Sequence, residues 1–185
     1  MSAFVVFLIV LAVLAGEVVV LYNTLVRSRL QVSNAWAQID VQLKRRHDLI
    51  PNLVNAVKGY MKFEQETLTK VVEARAKAVS ASAIPDKIKA EGELSGVLSK
   101  LFALMENYPD LKANQNVLAL QEELTTTENQ LAFARQHYND SVMAYNTRIQ
   151  VFPSNIIAGM FNFRPSEFFS APEAEKAVPQ VDLAL

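Results

Sequence analysis

Apolar residues recur along much of the chain in steps of three and four, which is the pattern of helices that bury one face. The first such stripe begins at Val32 and continues to about Tyr60. Arg46 occupies one of its positions, where an apolar residue is expected. Pro51 leaves two alternatives open: a second helical segment that starts near Asp48, or one long helix that is kinked at the proline.

Two further periodic stretches follow in the second half of the chain. The pattern continues to about Val79, and Ser80–Pro85 is its first clear break. Another helix is expected from Asp86, as its N-cap, to the turn at Asn107-Tyr108-Pro109. The longest stripe lies within residues 110–151, which contain no Gly or Pro, and its sustained spacing indicates coiled-coil-like packing.

These stripes predict an all-α fold, with an antiparallel bundle of three or four long, kinked helices over residues 23–152. The chain has only 5 glycines and 7 prolines, which favours long helices over a strand-rich fold with many turns. No helix-breaking residue lies between Asn23 and Leu49. The first bundle helix is therefore expected to continue the apolar helix that precedes it.

The N-terminal stretch 1–22 is apolar and carries one charged residue, Glu17. At ~1.5 Å per residue, a helix of this length spans a hydrocarbon core of ~30 Å. A secretory signal is the alternative, because residues 13–16 resemble a small-residue cleavage site. No Lys or Arg precedes the apolar run, which continues past Gly16. We therefore interpret it as an uncleaved transmembrane anchor, with Ala12 and Gly16 as the small residues through which neighbouring copies pack.

Two basic residues, Arg27 and Arg29, follow the apolar stretch closely. By the positive-inside rule, they place the C-terminal bundle in the cytoplasm. Arg45 and Arg46 would lie ~35 Å beyond the apolar stretch in a continuous helix, too far for contact with lipid headgroups. Their role is therefore expected within the bundle.

The C-terminal part divides into an aromatic segment and a tail. Pro153 is expected to end the last long helix. Residues 153–171 are dense in aromatic side chains, which rarely face water. We expect this segment to pack on the bundle or a neighbouring subunit rather than on the membrane surface, because Arg164 is its only basic residue. Its predicted packing residues are Phe161, Phe163, Phe168 and Phe169. Residues 172–185 are Ala- and Pro-rich and are expected to form an extended tail.

Candidate catalytic chemistry is sparse in this sequence. The chain has no cysteine and two histidines, His47 and His137, and neither follows a Glu by three residues as a di-iron bundle requires. Phosphate-binding Gly-rich loops and a zinc motif are also missing from the sequence. We therefore predict no enzymatic activity, cofactor or metal, and we expect His47 to be solvated. The formal net charge of −1 argues against nucleic acid as a partner.

Three charged residues interrupt the apolar stripes: Arg46, Glu128 and Arg135. A buried charge is costly unless it is paired. We hypothesise that Arg45 or Arg46 reaches across the bundle to Glu128 and so sets the register of the helices. Further hydrogen bonds are expected from asparagines, namely Asn129, Asn139 and Asn146. The alternative is that the stripes turn outward there and the charges are solvated.

Six segments of the chain stand out, in this order: Tyr22-Asn23-x-Leu25-Val26, Trp36-x-x-Ile39-Asp40-Val41-Gln42-Leu43, Asp48-Leu49-Ile50-Pro51-Asn52, Tyr108-Pro109-Asp110-Leu111, Ala134-Arg135-x-x-Tyr138-Asn139 and Phe152-Pro153-x-Asn155. With these segments the chain resembles the LemA family of bacterial membrane proteins. The resemblance implies a helical bundle on an N-terminal anchor and no defined activity. Some relatives are linked to membrane shaping in bacterial organelles, and others to membrane stress and proteolysis.

The expected function is that of a homo-oligomeric scaffold on the bacterial inner membrane, with the lipid bilayer and further copies of the chain as partners. An adaptor for a membrane protease or envelope-stress system is the first alternative. An enzyme or lipid carrier is the second, and it would need an internal cavity or convergent polar groups.

Overall fold

A computed structural model describes residues 3–169 and gives an all-α fold, which confirms the predicted fold class. Its six helices are α1 (Ala3–Val57), α2 (Gln65–Ser80), α3 (Ile84–Met105), α4 (Pro109–Lys112), α5 (Gln115–Gln150) and α6 (Ser154–Met160). No strand occurs within residues 3–169. The predicted tail, residues 172–185, lies outside the described residues, as do the last two residues of the predicted aromatic segment.

The described residues form two compact units. One unit contains residues 3–40 and 132–168, and we call it the membrane-proximal unit because the predicted transmembrane anchor belongs to it. The second unit contains residues 41–131 and Phe169. Helices α1 and α5 each contribute to both units. The predicted segment boundaries at residues 22/23, 152/153 and 171/172 stay predictions, because each unit combines residues that are distant in sequence.

Helix α1 continues through Pro51 to Val57, so Asp48 does not start a new helix. The first break falls at residues 58–64, and the prediction that it falls at Ser80–Pro85 was wrong. The apolar pattern continues across this break because Met61, within the break, and Leu68, after it in α2, are both buried. Periodicity alone therefore does not reveal the turn.

Local sequence signals account for the starts of α3 and α5. Helix α3 begins at Ile84 with Pro85 in its first turn, two residues before the predicted Asp86 cap. Helix α5 begins after Asn114, whose side-chain Oδ1 accepts the backbone N–H groups of Asn116 and Val117 at 3.0 and 3.4 Å. This is N-capping by an asparagine, which satisfies donors that the first helical turn leaves unpaired.

In the second unit, α2 and α3 run antiparallel and pack on the C-terminal part of α1. Tyr108, in the connection between α3 and α4, donates a hydrogen bond to Glu64, just before α2, at 3.4 Å. Lys77 near the end of α2 pairs with Glu93 in the first half of α3. The core contains Ile50, Leu53, Val57, Met61, Leu68, Val71, Leu94, Leu98, Leu101, Met105, Leu111, Val117 and Leu124.

In the membrane-proximal unit, α1 and α5 run antiparallel. Trp36 packs edge-on against Tyr138 with ring centroids 5.3 Å apart, and Arg148 donates a hydrogen bond to the Ser28 hydroxyl. The buried side chains are Leu25, Val32, Ala35, Ile39, Ala134, Tyr138, Val142, Tyr145, Ile149, Ile157, Ala158 and Phe163. Along α1 and α5 they recur in steps of three and four, as the sequence pattern requires.

Replacing Leu94 by Ala is expected to lower the free energy of unfolding by about 2–5 kcal/mol, because Leu94 is fully buried and its removal leaves a cavity. The matched control is Leu118→Ala, since Leu118 is 47% exposed on α5. Thermal melting of the full chain in detergent, followed by circular dichroism, measures both. Equal losses in the two variants would contradict this assignment of the core.

Candidate functional site

Helix α1 begins with an apolar stretch that no other part of the structure covers. Its most apolar window of 18 residues has a mean hydropathy of 3.0 and is 0% buried. Of the helices in the described part of the chain, this one is long and apolar enough to cross a membrane. Burial begins at Leu25, which is 1% exposed. The apolar stretch therefore ends where the packed bundle starts.

The aromatic segment after α5 returns to this same point. The ring of Phe161 lies 4.7 Å from that of Tyr22, and the ring of Phe163 lies 5.8 Å from it. The Arg29 guanidinium lies 5.0 Å from the centre of the Phe163 ring, within the range of a cation–π contact. The segment thus closes one end of the membrane-proximal unit, at the end of the apolar stretch.

Hydrogen bonds at the end of α6 direct the chain into this position. Asn162 adopts a left-handed backbone conformation, with φ of 55°, which asparagine tolerates better than most residues. The backbone N–H of Phe163 bonds the carbonyl of Ala158 at 2.9 Å, and that of Asn162 bonds the carbonyl of Gly159 at 3.3 Å. This pattern is a Schellman motif, and it turns Phe163 back onto the buried Ala158.

Three side chains of α5 then hold residues 164–167. Tyr138 and Tyr145 donate hydrogen bonds to the backbone carbonyls of Glu167 and Arg164, both at 2.9 Å. Asn146 bonds both the carbonyl and the N–H of Ser166, each at 2.9 Å. The prediction that Asn146 belongs to the network around Glu128 was wrong. The two tyrosines were predicted only as members of an apolar stripe.

A buried ionic centre lies in the second unit. Arg46 is 3% exposed. Its Nη1 lies 3.4 Å from Glu91 Oε2, while its Nη2 donates to Ser95 Oγ at 2.7 Å and lies 3.3 Å from Glu128 Oε2. The other oxygen of Glu91 lies 2.6 Å from His47 Nε2. These contacts join α1, α3 and α5 through one guanidinium.

Glu91 is the residue that the sequence analysis missed. It is 1% exposed, whereas the side chain of Glu128 is 43% exposed. Arg46 is therefore paired with one carboxylate in the interior and one near the surface. The signal for Glu91 is present in the sequence, because it lies three residues after Ile88 and three before Leu94, in the apolar stripe of α3. The same reasoning that singled out Arg46 applies to it.

His47 is not solvated, contrary to our expectation. Its side chain is 13% exposed and bonds Glu91, and Arg75 donates a hydrogen bond to its backbone carbonyl at 2.6 Å. That carbonyl is the one that Pro51, which has no N–H, leaves without its usual helical partner. Arg75 of α2 therefore replaces a hydrogen bond that the proline removes from α1.

The other predicted site residues are dispersed. Arg45 pairs with Glu123 at the surface, where such a pair contributes little stability. Asn129 lies on a shallow groove of about 250 Å³ next to Glu128. Arg135 is half-buried in the membrane-proximal unit and is not without a partner. The arrangement does not place Arg135 among the residues that bond Arg46.

The predicted packing residues differ in exposure. Ala12 and Gly16 are exposed on the apolar stretch, and a Cβ at Gly16 would meet no atom within 4 Å. Phe163 is buried, whereas Phe161 and Phe168 are 51% and 49% exposed. Phe169 is half-buried and makes a contact of its own. Packing on the bundle therefore buries the side chain of Phe163 but covers that of Phe161 only in part.

Charged side chains line two surface grooves of the second unit, the one beside Glu128 and another between α2 and α3. The groove between α2 and α3 has a volume of about 450 Å³ and is lined by Lys70, Lys77, Lys100, Glu73 and Glu93. Within residues 3–169, no group of three or more His, Asp or Glu side chains is placed to hold a metal ion. In both grooves, charged side chains such as Lys77 and Arg46 are already engaged in ion pairs.

Sequence comparison identifies the family. A model of the LemA family matches residues 35–183. The chain belongs to the LemA family. The protein LemA of Metamycoplasma hominis is 27% identical over 157 residues, which cover 83% of this chain and 71% of that protein.

Magnetosome proteins are also similar to this chain. The magnetosome protein MamQ 2 of Paramagnetospirillum magneticum is 24% identical over 179 residues, covering 83% of this chain. The magnetosome protein MamQ of Magnetospirillum gryphiswaldense is 23% identical over 174 residues, covering 80%. The chain spans 66% and 64% of the lengths of these two relatives. With the exposed apolar stretch, the family and these relatives indicate a membrane-associated protein.

Replacing Glu91 by Gln is expected to lower the free energy of unfolding by about 3–5 kcal/mol, because the buried Arg46 loses its interior counter-charge. The control is Glu93→Gln on the same helix, whose exposed partner is Lys77. That variant is expected to melt close to the parent protein. Denaturant unfolding of both variants, followed by circular dichroism, measures the difference. Similar midpoints for the two would refute a structural role for the ionic centre.

We expect the folded protein to lose stability at high pH, because of the two tyrosines that hold residues 164–167. Burial raises the pKa of Tyr145 above its ordinary value of 10.0, although Arg29 opposes the rise. Burial and the Glu167 carboxylate also raise the pKa of Tyr138. A raised folded-state pKa means that the stabilisation is complete below about pH 10 and is lost as the pH rises through the folded-state value.

Tyr145→Phe should therefore lower the melting temperature at pH 7–9, by the loss of about 1 kcal/mol of hydrogen bonding. It should also reduce the further loss of stability above pH 10. Tyr60→Phe is the control, because Tyr60 is 44% exposed. Melting curves between pH 7 and 11 measure both effects. An unchanged alkaline slope in Tyr145→Phe would contradict this assignment.

Proposed function

We propose that this chain is a non-enzymatic, single-pass protein of the bacterial inner membrane that works as a homo-oligomeric scaffold. The observation that supports the proposal is the exposed apolar start of α1. This stretch belongs to one unbroken helix, which contributes residues to both units. A bundle attached in this way is confined to the membrane, where copies of the chain meet at high local concentration. The resemblance to relatives linked to membrane shaping makes membrane organisation the process that we propose.

The orientation that we propose places the bundle in the cytoplasm. Arg27 and Arg29 are exposed and follow the apolar stretch within two helical turns. Positively charged residues beside a span favour the cytoplasmic side. A cysteine in an exposed position of the bundle, tested with a membrane-impermeant reagent in spheroplasts, should be labelled only after lysis.

The scaffold can be tested at the contacts that we propose between the transmembrane spans of neighbouring copies. Ala12 and Gly16 lie one helical turn apart on a face with no covering atoms. Small residues at this spacing let two helices approach closely in a bilayer. Apart from the adjacent backbone of α1, no atom of residues 3–169 lies within 4 Å of a Cβ placed at Gly16. We therefore expect a larger side chain there to disturb contacts between copies and not the fold of one copy.

The full chain, extracted in detergent, is expected to form a discrete assembly of several copies, as measured by mass photometry. Gly16→Leu should shift the mass distribution towards smaller species. The control is Val18→Leu, which enlarges the opposite face of the same helix. A monomer in the parent protein would refute the scaffold. An assembly that Gly16→Leu leaves intact would refute the role of this face and assign the contacts to the bundle.

An adaptor for a membrane protease or stress system is the second candidate. The observation that favours it is Phe63, which is 95% exposed in the turn between α1 and α2. A large side chain exposed in this way is suited to anchor a second protein. Chemical crosslinking in membranes from cells that express the parent protein or Phe63→Ala, with mass spectrometry of the products, would detect a partner that requires this residue.

A further inference from the structure

The end of the membrane-proximal unit carries exposed apolar side chains beyond those of the span. Ile156 and Met160 lie one turn apart on α6 and are 53% and 71% exposed. Phe152, just before α6, is 79% exposed, and Phe161, just after it, is 51% exposed. The opposite side of α6 is buried, through Ile157 and Ala158. Four large apolar side chains within ten residues are thus directed away from the bundle.

The position of these four side chains relative to the transmembrane span follows from the contact between Tyr22 and Phe161. Tyr22 is the last residue of the apolar stretch, and its ring lies 4.7 Å from that of Phe161. Aromatic residues at this position occupy the boundary between acyl chains and headgroups. Phe161 therefore lies at the membrane boundary, and α6 lies directly before it in the chain.

The charges around this end are mostly positive. Arg27, Arg29, Arg148 and Arg164 are all exposed, and they come from α1, α5 and the segment after α6. Arg148 is placed beside α1 by its bond to Ser28, and Arg29 by its contact with Phe163. Among the described residues that are close to this end in sequence, Glu17 and Glu167 are acidic. In the sequence alone the aromatic segment has one basic residue, but the fold adds three arginines from elsewhere.

We propose that α6 and the residues next to it, Phe152, Ile156, Met160 and Phe161, form a second membrane contact that inserts into the headgroup region of an anionic bilayer. The surface adjoins the end of the transmembrane span through the contact between Tyr22 and Phe161, and exposed arginines lie at the same end of the unit. An apolar face with a basic rim is the arrangement of elements that lie in the membrane interface. The proposal rests on the span being in the bilayer, as proposed above, and it adds lipid as the ligand of a specific segment.

Depth-dependent fluorescence quenching tests this contact in the full chain. Because the chain has no cysteine, an environment-sensitive fluorophore can be attached at Met160→Cys alone. The protein is reconstituted in phosphatidylcholine vesicles that contain phosphatidylglycerol and brominated lipids. The control is Phe133→Cys, since Phe133 is 72% exposed but lies ~22 Å before Arg148 along α5. Ile156→Cys provides a second position on the proposed contact.

We expect brominated lipid to quench the probes at Met160 and Ile156 several-fold more than the probe at Phe133, and aqueous iodide to show the reverse order. Quenching by brominated lipid should weaken without phosphatidylglycerol, because the arginines then lack anionic partners. Equal iodide quenching at all three positions, without lipid quenching, would overturn the proposal. So would shielding of Met160 that depends only on the protein-to-lipid ratio, because a second copy would then cover this surface.

A probe at Val10→Cys, in the middle of the apolar stretch, separates this inference from the proposed anchor. Lipid quenching at Val10 but not at Met160 or Ile156 would overturn the second contact and leave the anchor intact. No lipid quenching at Val10 would overturn the anchor itself. The oligomeric state is measured independently, by mass, so that the scaffold can fail while the second contact stands.

Discussion

Arg46 lies on the buried face of α1, and a buried guanidinium must have counter-charges and hydrogen-bond acceptors close by. Glu91 and Ser95 of α3 and Glu128 of α5 supply them. A shift of either helix by one residue along α1 would rotate these groups away and leave a positive charge in the core. We therefore propose that the ionic centre restricts the register of three helices at once, which apolar contacts between similar Leu and Val side chains would do less strictly.

The sequence alone predicts the long helical stretches, the apolar span and most of the buried faces, because each is encoded by local periodicity. It does not predict the short helices α4 and α6, and it does not predict the break at residues 58–64, since Met61 keeps the apolar spacing while the backbone turns. Nor does it predict the state of His47, which depends on Glu91 in a different helix. Arg46 and Glu128 stand out as charges within apolar stripes, and Glu91 meets the same criterion. Glu91 is harder to recognise because the apolar stripe of α3 is shorter and Glu91 lies near the start of that helix.

The aromatic segment illustrates a different limit of sequence reasoning. Its composition indicates that it must be covered, but the covering surface is assembled from residues that are far apart in the chain. Tyr22 and Arg29 contact it from α1, while Tyr138 and Tyr145 hold it from α5. The balance of charge around it also changes on folding, because arginines from two helices join Arg164. Arguments from the local charge of a segment fail where the fold brings distant residues beside it.

The contact between Tyr22 and Phe161 also has a consequence for synthesis. Tyr22 leaves the ribosome early and Phe161 late, and residues 41–131, which belong to the other unit, are made between them. Contacts of such large sequence separation form slowly. The apolar face of α1 near Leu25 and Val32 therefore stays uncovered until residues 132–168 of the same unit have been translated. A nascent chain that is already inserted through its first helix would pass this vulnerable interval attached to the bilayer, where encounters with other unfinished chains are restricted.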